Sequence, residues 1–186
     1  MKRILFAIAA AAAVSAHAEL KFATVDMLKL LRNHPDYERN ERLLESTDKD
    51  YQKKVDAIKS EGEALQTEGR KLMEQHENPM LSDKAKVDLK KKLTEIQKQL
   101  SSIEQRYRAE AMRCQQDLRD LRQRLLKSST DDLRERIAKF AESNGYDVVL
   151  DTNATAFSKA SLDVTDEVLV AMGVDPKKAK GVDEGK

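Results

Sequence analysis

The side chains of this sequence that could do chemistry are few and widely separated. His34 and His76 have no carboxylate or cysteine companion at the spacing of a metal-ligand set, and His17 lies in a segment expected to be removed. The neighbouring acids Asp131 and Asp132 fall on one turn of a predicted helix and are expected to be surface charge. The sequence has no glycine-rich loop that could cradle a phosphate. We therefore expect no catalytic residue, metal site or cofactor, and we predict that the protein is not an enzyme.

Basic side chains are concentrated in one stretch of the chain. Between residues 106 and 127, seven basic residues occur with three acidic ones, a local excess of +4. This excess could attract acidic clients or lipids over about 8 to 10 Å, but charges on a long helix are more often solvated and paired with their neighbours. The basic residues are Arg106, Arg108, Arg113, Arg119, Arg122, Arg124 and Lys127.

The overall charge argues against a nucleic-acid partner. The chain has 34 Lys and Arg residues and 33 Asp and Glu residues, for a formal net charge of +1. A general nucleic-acid binder is expected to carry a strong basic excess, because its affinity comes largely from phosphate contacts. We therefore predict that the protein does not bind nucleic acid.

The first eighteen residues have the pattern of an export signal. Lys2 and Arg3 precede an apolar run over residues 4–14, and Ala16-His17-Ala18 supplies small residues at a cleavage site. The run is shorter than the about 20 apolar residues that a membrane-spanning helix needs. Cleavage after Ala18 would leave 32 basic and 33 acidic residues, a formal charge of −1.

An exported chain meets an oxidising compartment, where its single cysteine, Cys114, could form an intermolecular disulfide. Cys114 also falls on the apolar stripe of a predicted helix, where a small thiol packs like any hydrophobic side chain. We favour the packing interpretation, because free cysteines are so often buried.

Two long helices are predicted between residues 36 and 143. In the first, an apolar or aromatic residue recurs at every seventh position, which is the period of a coiled-coil seam: Tyr37, Leu44, Tyr51, Ile58, Leu65 and Leu72. The alternate seam positions include Glu41, Asp48, Gly62 and Gly69. Each glycine costs a helix about 1 kcal/mol relative to alanine. We expect this helix to be soft at the glycines or closely approached there by its neighbour.

The chain is expected to turn at residues 77–81, because Pro79 cannot continue a helix. Ser82 can cap the second helix, which should end near Ser143 because Gly145 readily adopts the left-handed conformation that ends helices. At 1.5 Å per residue, the two helices would be about 60 Å and about 90 Å long. The apolar stripe of the second helix contains a stutter at Ile103, Tyr107 and Ala111.

The two ends of the exported chain contain the predicted strands. Residues 20–26 and 146–151 read as strands, and residues 156–160 as a weaker third one. A brief helix should follow the first strand, and an amphipathic helix should run from about Val164 to Met172. The domain prediction is a cleaved signal peptide at 1–18, an oligomerisation body formed by 19–35 and 144–173, a helical hairpin arm at 36–143 and a disordered tail at 174–186.

Three short strands cannot form an independently stable sheet, and their open edges would invite aggregation. Sharing strands between copies in a closed barrel removes both problems. The predicted fold is therefore mainly α with a small β body, in which a long antiparallel coiled-coil hairpin is attached to a strand-sharing β-barrel. Periodicity alone does not fix the number of subunits.

Three segments of the sequence resemble the OmpH/Skp family of periplasmic chaperones. They are the export signal, residues 22–27 (FATVDM) and residues 145–154 (GYDVVLDTNA), and the likeness extends from Leu20 to about Met172. The resemblance implies a jellyfish-like homotrimer in the periplasm of a Gram-negative type envelope. Strands of three chains would form a central barrel, and the helical hairpins would hang from it as tentacles around a cavity. That cavity would hold unfolded outer-membrane proteins without ATP.

The resemblance also implies roles for particular residues. Phe22, Val25, Val148, Leu150 and Phe157 would build the oligomer, and Met73, Pro79, Met80 and Leu81 would lie near the tentacle tips, where they would contact the client. Weak contact with an anionic membrane or lipopolysaccharide is a further expectation, although many family members are more basic than this chain.

The alternative interpretation is a structural coiled-coil spacer or envelope tether without chaperone activity, because the same helices could serve only to span a distance. The two interpretations differ in one measurable property. A holdase should keep a denatured β-barrel protein soluble without nucleotide, and a spacer should not.

Overall fold

The computed structural model describes residues 20–181, so the predicted signal peptide and the last five residues of the predicted tail lie outside the described residues. In chain order the elements are strand β1 (Phe22–Val25), helices α1 (Met27–Arg32), α2 (Tyr37–His76) and α3 (Asp83–Asn144), strand β2 (Val148–Asp151) and helix α4 (Thr165–Ala171). Short 3-10 turns lie at Thr152–Ala154, Ala160–Leu162 and Pro176–Lys178. The described chain is mainly helical with a small strand pair, as predicted.

The described chain divides into two compact units, each of which is described by itself. One boundary falls inside α1, after Leu30, and the other inside α3, after Arg134. We call residues 31–134 the arm unit. Residues 20–30 and 135–181 form the body unit.

In the arm unit, α2 and the first part of α3 form an antiparallel hairpin. The six predicted seam residues of α2 are all half-buried, which confirms the seam. Glu41 and Asp48 are exposed, however, and the half-buried Asn40 and Thr47 take their places in the seam. The reason is that burying an uncompensated carboxylate is costly. The resulting spacing gives α2 a stutter of its own near Tyr51.

The two seam glycines are points of close approach between the helices. A Cβ atom added to Gly62 would lie 3.3 Å from Cγ2 of Ile103, and one added to Gly69 would lie 3.4 Å from Cγ2 of Ile96. Both isoleucines are only 7% exposed. The expectation of close approach is therefore confirmed, and the two contacts fix the antiparallel register of the hairpin.

Gly69→Ala is expected to raise the free energy of unfolding by about 0.5 to 1 kcal/mol, because alanine has the higher helix propensity. Its methyl group would make an ordinary van der Waals contact with Ile96. Gly62→Ala should gain less, since its methyl group would press more closely on Ile103. Urea denaturation at one fixed protein concentration measures both changes. A Gly69→Ala variant less stable than the wild type would contradict this geometry.

The predicted start and end of α3 are confirmed. Oγ of Ser82 accepts a hydrogen bond from the backbone N–H of Ala85 at 3.4 Å, which caps the first turn. At the other end α3 stops at Asn144, and Gly145 has a φ of +68°. A residue with a Cβ adopts that conformation only at an energetic cost. Gly145 therefore ends the helix, and the chain continues from it into β2.

In the body unit, β1 and β2 pair in parallel. Phe22 lies opposite Val148, and Thr24 lies opposite Leu150. On the other edge of β1, the N–H of Val164 donates to the carbonyl of Thr24 at 2.9 Å. This contact brings α4 against the strand, and the side chains that fill the core of the body unit are fully or almost fully buried: Ala23, Val25, Leu30, Val168 and Leu169.

The predicted third strand at residues 156–160 is wrong. Residues 156–159 have no regular structure, and Ala160–Leu162 is a 3-10 turn. Asp163 supplies only a single bridge to Thr24. The aromatic residue that suggested a strand, Phe157, is 82% exposed and contributes nothing to the core of this chain.

The described part of the predicted tail carries some local structure. The 3-10 turn at Pro176–Lys178 is capped by Asp175, whose Oδ1 accepts from the N–H of Lys177 at 3.0 Å. Residues 182–186 lie outside the described chain.

Candidate functional site

The tip of the hairpin presents apolar side chains to solvent. The turn is closed by the side chain of Asn78, whose Oδ1 accepts from the N–H of Met80 at 3.0 Å. The side chain of Met80 at this turn is 90% exposed. Pro79 is also exposed, and Leu81 is half-buried. Three of the four predicted client-contact residues therefore lie together at the tip.

The fourth, Met73, belongs to a different surface, an open groove along one flank of the hairpin, which we call the arm groove. Its apolar floor is formed by Met73, Leu93, Ile96, Leu100, Ile103 and Tyr107, together with the backbone of the two seam glycines. Its polar rims are Lys59, Glu63, Gln66 and Arg70 on α2 and Gln97, Ser101 and Glu104 on α3.

The glycines explain why the arm groove exists. Gly62 and Gly69 occupy seam positions where another residue would project a side chain over the facing helix. Ile96 and Ile103, which face the glycines, stay covered by the close approach of the helices, but no side chain of α2 extends from these positions onto the flank, where Tyr107 is exposed. The sequence does contain a signal for this surface, which is the pair of glycines seven residues apart in the seam of α2. The residues of α3 that face these glycines could be identified only from the register in which the two helices pair.

The strand pair of the body unit presents a second uncovered apolar surface. Phe22, Val148 and Leu150 share one face, since laterally paired residues of parallel strands point to the same side. Phe22 and Leu150 are each 43% exposed. Val25 points to the other face and is buried within its own chain. Of the five predicted oligomerisation residues, the structure thus brings three together and places Val25 in the core, with the exposed Phe157 on an irregular segment.

A comparison with protein families gives a match over most of the chain. The family model described as "Outer membrane protein (OmpH-like)" matches residues 21–172. The chain belongs to the OmpH family. A search of curated proteins found no match to the chain. Membership of the OmpH family suggests a periplasmic, chaperone-like role.

Four of the seven basic side chains in the basic stretch of this OmpH family member are paired with acidic side chains. Arg106 contacts Glu61 of α2 at 3.2 Å, and this bond joins the two helices of the hairpin. Other pairs lie within α3, such as Arg108 with Glu104 and Lys127 with Asp131. This pairing favours the solvated-face interpretation of the stretch. It also reduces the local positive excess that an anionic surface could meet.

The two neighbouring acids of α3 have different surroundings. The hydrogen bond from Lys127 lowers the pKa of the exposed Asp131. Asp132 instead lies 2.8 Å from Nε2 of the buried His34. Nδ1 of His34 accepts from the N–H of Asp36 at 3.1 Å, which leaves Nε2 as the ring nitrogen that donates to Asp132. This carboxylate lies 98 residues away in sequence, so the local spacing around His34 gives no sign of the pair.

The remaining chemistry-bearing groups form no metal site among residues 20–181, where no group of three or more His, Cys, Asp or Glu side chains could hold an ion. None of the helices in the same range has both the length and the apolar character needed to cross a bilayer.

Cys114 of this OmpH protein is buried on the apolar stripe of α3, as the packing interpretation predicts. Burial raises the pKa of its thiol, and the neighbouring carboxylate of Glu110 raises it further. Because the thiolate is the reactive form, we expect Cys114 to react with Ellman's reagent at pH 8 at least about 10-fold more slowly in the folded protein than in urea. Equal rates in the two conditions would contradict this burial.

Proposed function

We propose that this OmpH family member is an ATP-independent holdase of the periplasm, directed there by residues 1–18. It binds unfolded outer-membrane proteins in a cavity between the helical arms of a homotrimer and prevents their aggregation. The observation that carries the proposal is that the arm leaves apolar surface uncovered at its tip and in the arm groove. A coiled coil that served only to span a distance would not need either exposed apolar surface.

The strand pair supports the oligomeric part of the proposal. A two-stranded sheet is marginal in water, and strand edges tend to acquire partners. Within residues 20–181, the sheet contains only β1 and β2, and its exposed face carries Phe22 and Leu150. Strands contributed by two further copies would cover this face and hold three arms around one space.

Several weak contacts are sufficient for holding an unfolded chain. If three arms engage one client together, each contact after the first is intramolecular, and avidity can exceed single-site affinity by about 10² to 10⁴. The exposed methionine at the tip suits clients of varied sequence, because its flexible thioether repacks easily. Such binding requires neither nucleotide nor a catalytic group.

Dilution of a urea-unfolded outer-membrane β-barrel protein into buffer tests the proposed function. Light scattering should be suppressed at a ratio near one trimer per client, equally with and without ATP and Mg²⁺. If the client aggregates as fast with the protein as with an equal mass of serum albumin, the holdase function is wrong. The spacer or tether alternative would then remain.

A further inference from the structure

We propose that the arm groove is a binding site for one extended, uncharged segment of an unfolded chain whose apolar and polar side chains alternate. This inference rests on the proposed function and deepens it, because it assigns client binding to a defined surface in the middle of the arm as well as to the tip.

The cross-section of the groove matches such a segment. Leu93, Leu100 and Tyr107 give the floor apolar character along its length, while both rims are polar. An extended chain with alternating side chains has one apolar and one polar face, so its apolar face would meet the floor while its polar face remained in water. A fully apolar segment would instead leave one apolar face in water.

The charges of the rims favour an uncharged segment. Two basic and two acidic rim residues cancel: Lys59 and Arg70 against Glu63 and Glu104. Lys59 lies 3.7 Å from Glu63, and Glu104 is bonded to Arg108 outside the groove. A strongly acidic or basic peptide would therefore gain no complementary charge here.

The length of the groove sets how much of the client it covers. The α2 rim runs from Lys59 to Met73, which is about 21 Å at 1.5 Å per residue. An extended chain rises about 3.3 Å per residue, so the groove holds about six residues and receives about three side chains. A membrane-spanning β-strand has about 9 to 11 residues with alternating character, and one groove would cover about half of it.

The centre of the groove offers hydrogen bonds to the backbone of the segment. Gln66 and Gln97 lie on opposite rims and both line the middle of the groove. Each amide has two donor hydrogens and one acceptor oxygen. An unfolded strand has unpaired backbone groups, so it gains from these amides whatever its side-chain sequence is.

Gln97→Trp tests the proposal, because a bulky side chain at this rim would occlude the centre of the groove. The matched control is Gln115→Trp, an exposed position five turns further along the same flank of α3 and outside the groove. The probe is a fluorescein-labelled ten-residue peptide of alternating Val or Leu and Ser or Thr. A peptide of the same composition with its apolar residues in one block is compared with it.

Fluorescence anisotropy should show the alternating peptide binding at least about 5-fold more tightly than the block peptide. Gln97→Trp should weaken its binding at least about 10-fold, and Gln115→Trp should leave it within about 2-fold of wild type. Equal binding of the two peptides, or an unaffected Gln97→Trp variant, would overturn the proposal. A loss of assembled mass in Gln97→Trp would also overturn it, because the groove would then be a contact between copies.

A second measurement does not depend on blocking the groove. The chain contains no tryptophan, so Tyr107→Trp places a single fluorophore at one end of the groove. Its emission should shift to the blue when the alternating peptide is added, while that of the exposed Met112→Trp should not move. Aggregation suppression by the wild type separates the two proposals. If the wild type suppresses aggregation but does not bind the alternating peptide, only the groove proposal is wrong, whereas an absence of suppression by the wild type contradicts the holdase function.

Discussion

Leu150→Asp is expected to dissociate the proposed trimer into monomers at micromolar concentration. Leu150 lies beside Phe22 and Val148 on the exposed face of the strand pair, the surface that the other copies would cover. Burying a carboxylate against apolar side chains without a cation costs several kcal/mol. The dissociation constant should therefore rise at least about 100-fold. Analytical ultracentrifugation over a concentration series measures it.

The control for this variant is Ser102→Asp, which introduces the same charge at an exposed position of α3 in the arm unit. It should assemble as the wild type does. A Leu150→Asp protein that keeps the mass of the wild-type assembly would show that the exposed strand face is not the contact between copies.

Leu169→Ala is expected to destabilise the protein by about 2 to 5 kcal/mol, the usual cost of emptying a fully buried leucine site. Leu169 is 0% exposed in α4. Two hydrogen bonds hold the start of this helix near β1: the N–H of Val164 donates to the carbonyl of Thr24, and the N–H of Asp26 donates to the side-chain Oγ1 of Thr165. Loosening α4 should therefore also free an edge of the strand pair and weaken assembly.

Val170→Ala provides the matched comparison, because the neighbouring Val170 is 62% exposed. This change should alter the unfolding free energy by no more than about 0.5 kcal/mol. Chemical denaturation of both variants at the same protein concentration compares them. Similar losses of unfolding free energy in the two variants would mean that Leu169 does not pack α4 against the rest of the body unit.

The sequence predicted the long elements well because local signals define them. Pro79 and Ser82 mark the turn and the start of α3, and Gly145 marks its end with a positive φ. The seven-residue repeat similarly identified the half-buried stripe of α2. These signals act within a few residues, so a single chain contains all the information they need.

Features that depend on contacts distant in sequence could not be predicted. The pairing of His34 with Asp132 and the facing of Gly69 by Ile96 both follow from the antiparallel register. The predicted third strand was wrong for a related reason. Phe157 gave a local strand signal, but within residues 20–181 no strand pairs with that segment. The arm groove combines both effects, because local glycines open it and residues on the other helix line it.

The most direct test of the central claim is the native mass of the purified protein lacking residues 1–18, measured with and without an unfolded outer-membrane protein. The account predicts a mass of three chains alone and of three chains plus one client after mixing. A folded single chain at micromolar concentration that gains no mass with the client would contradict it, because one arm alone would enclose nothing.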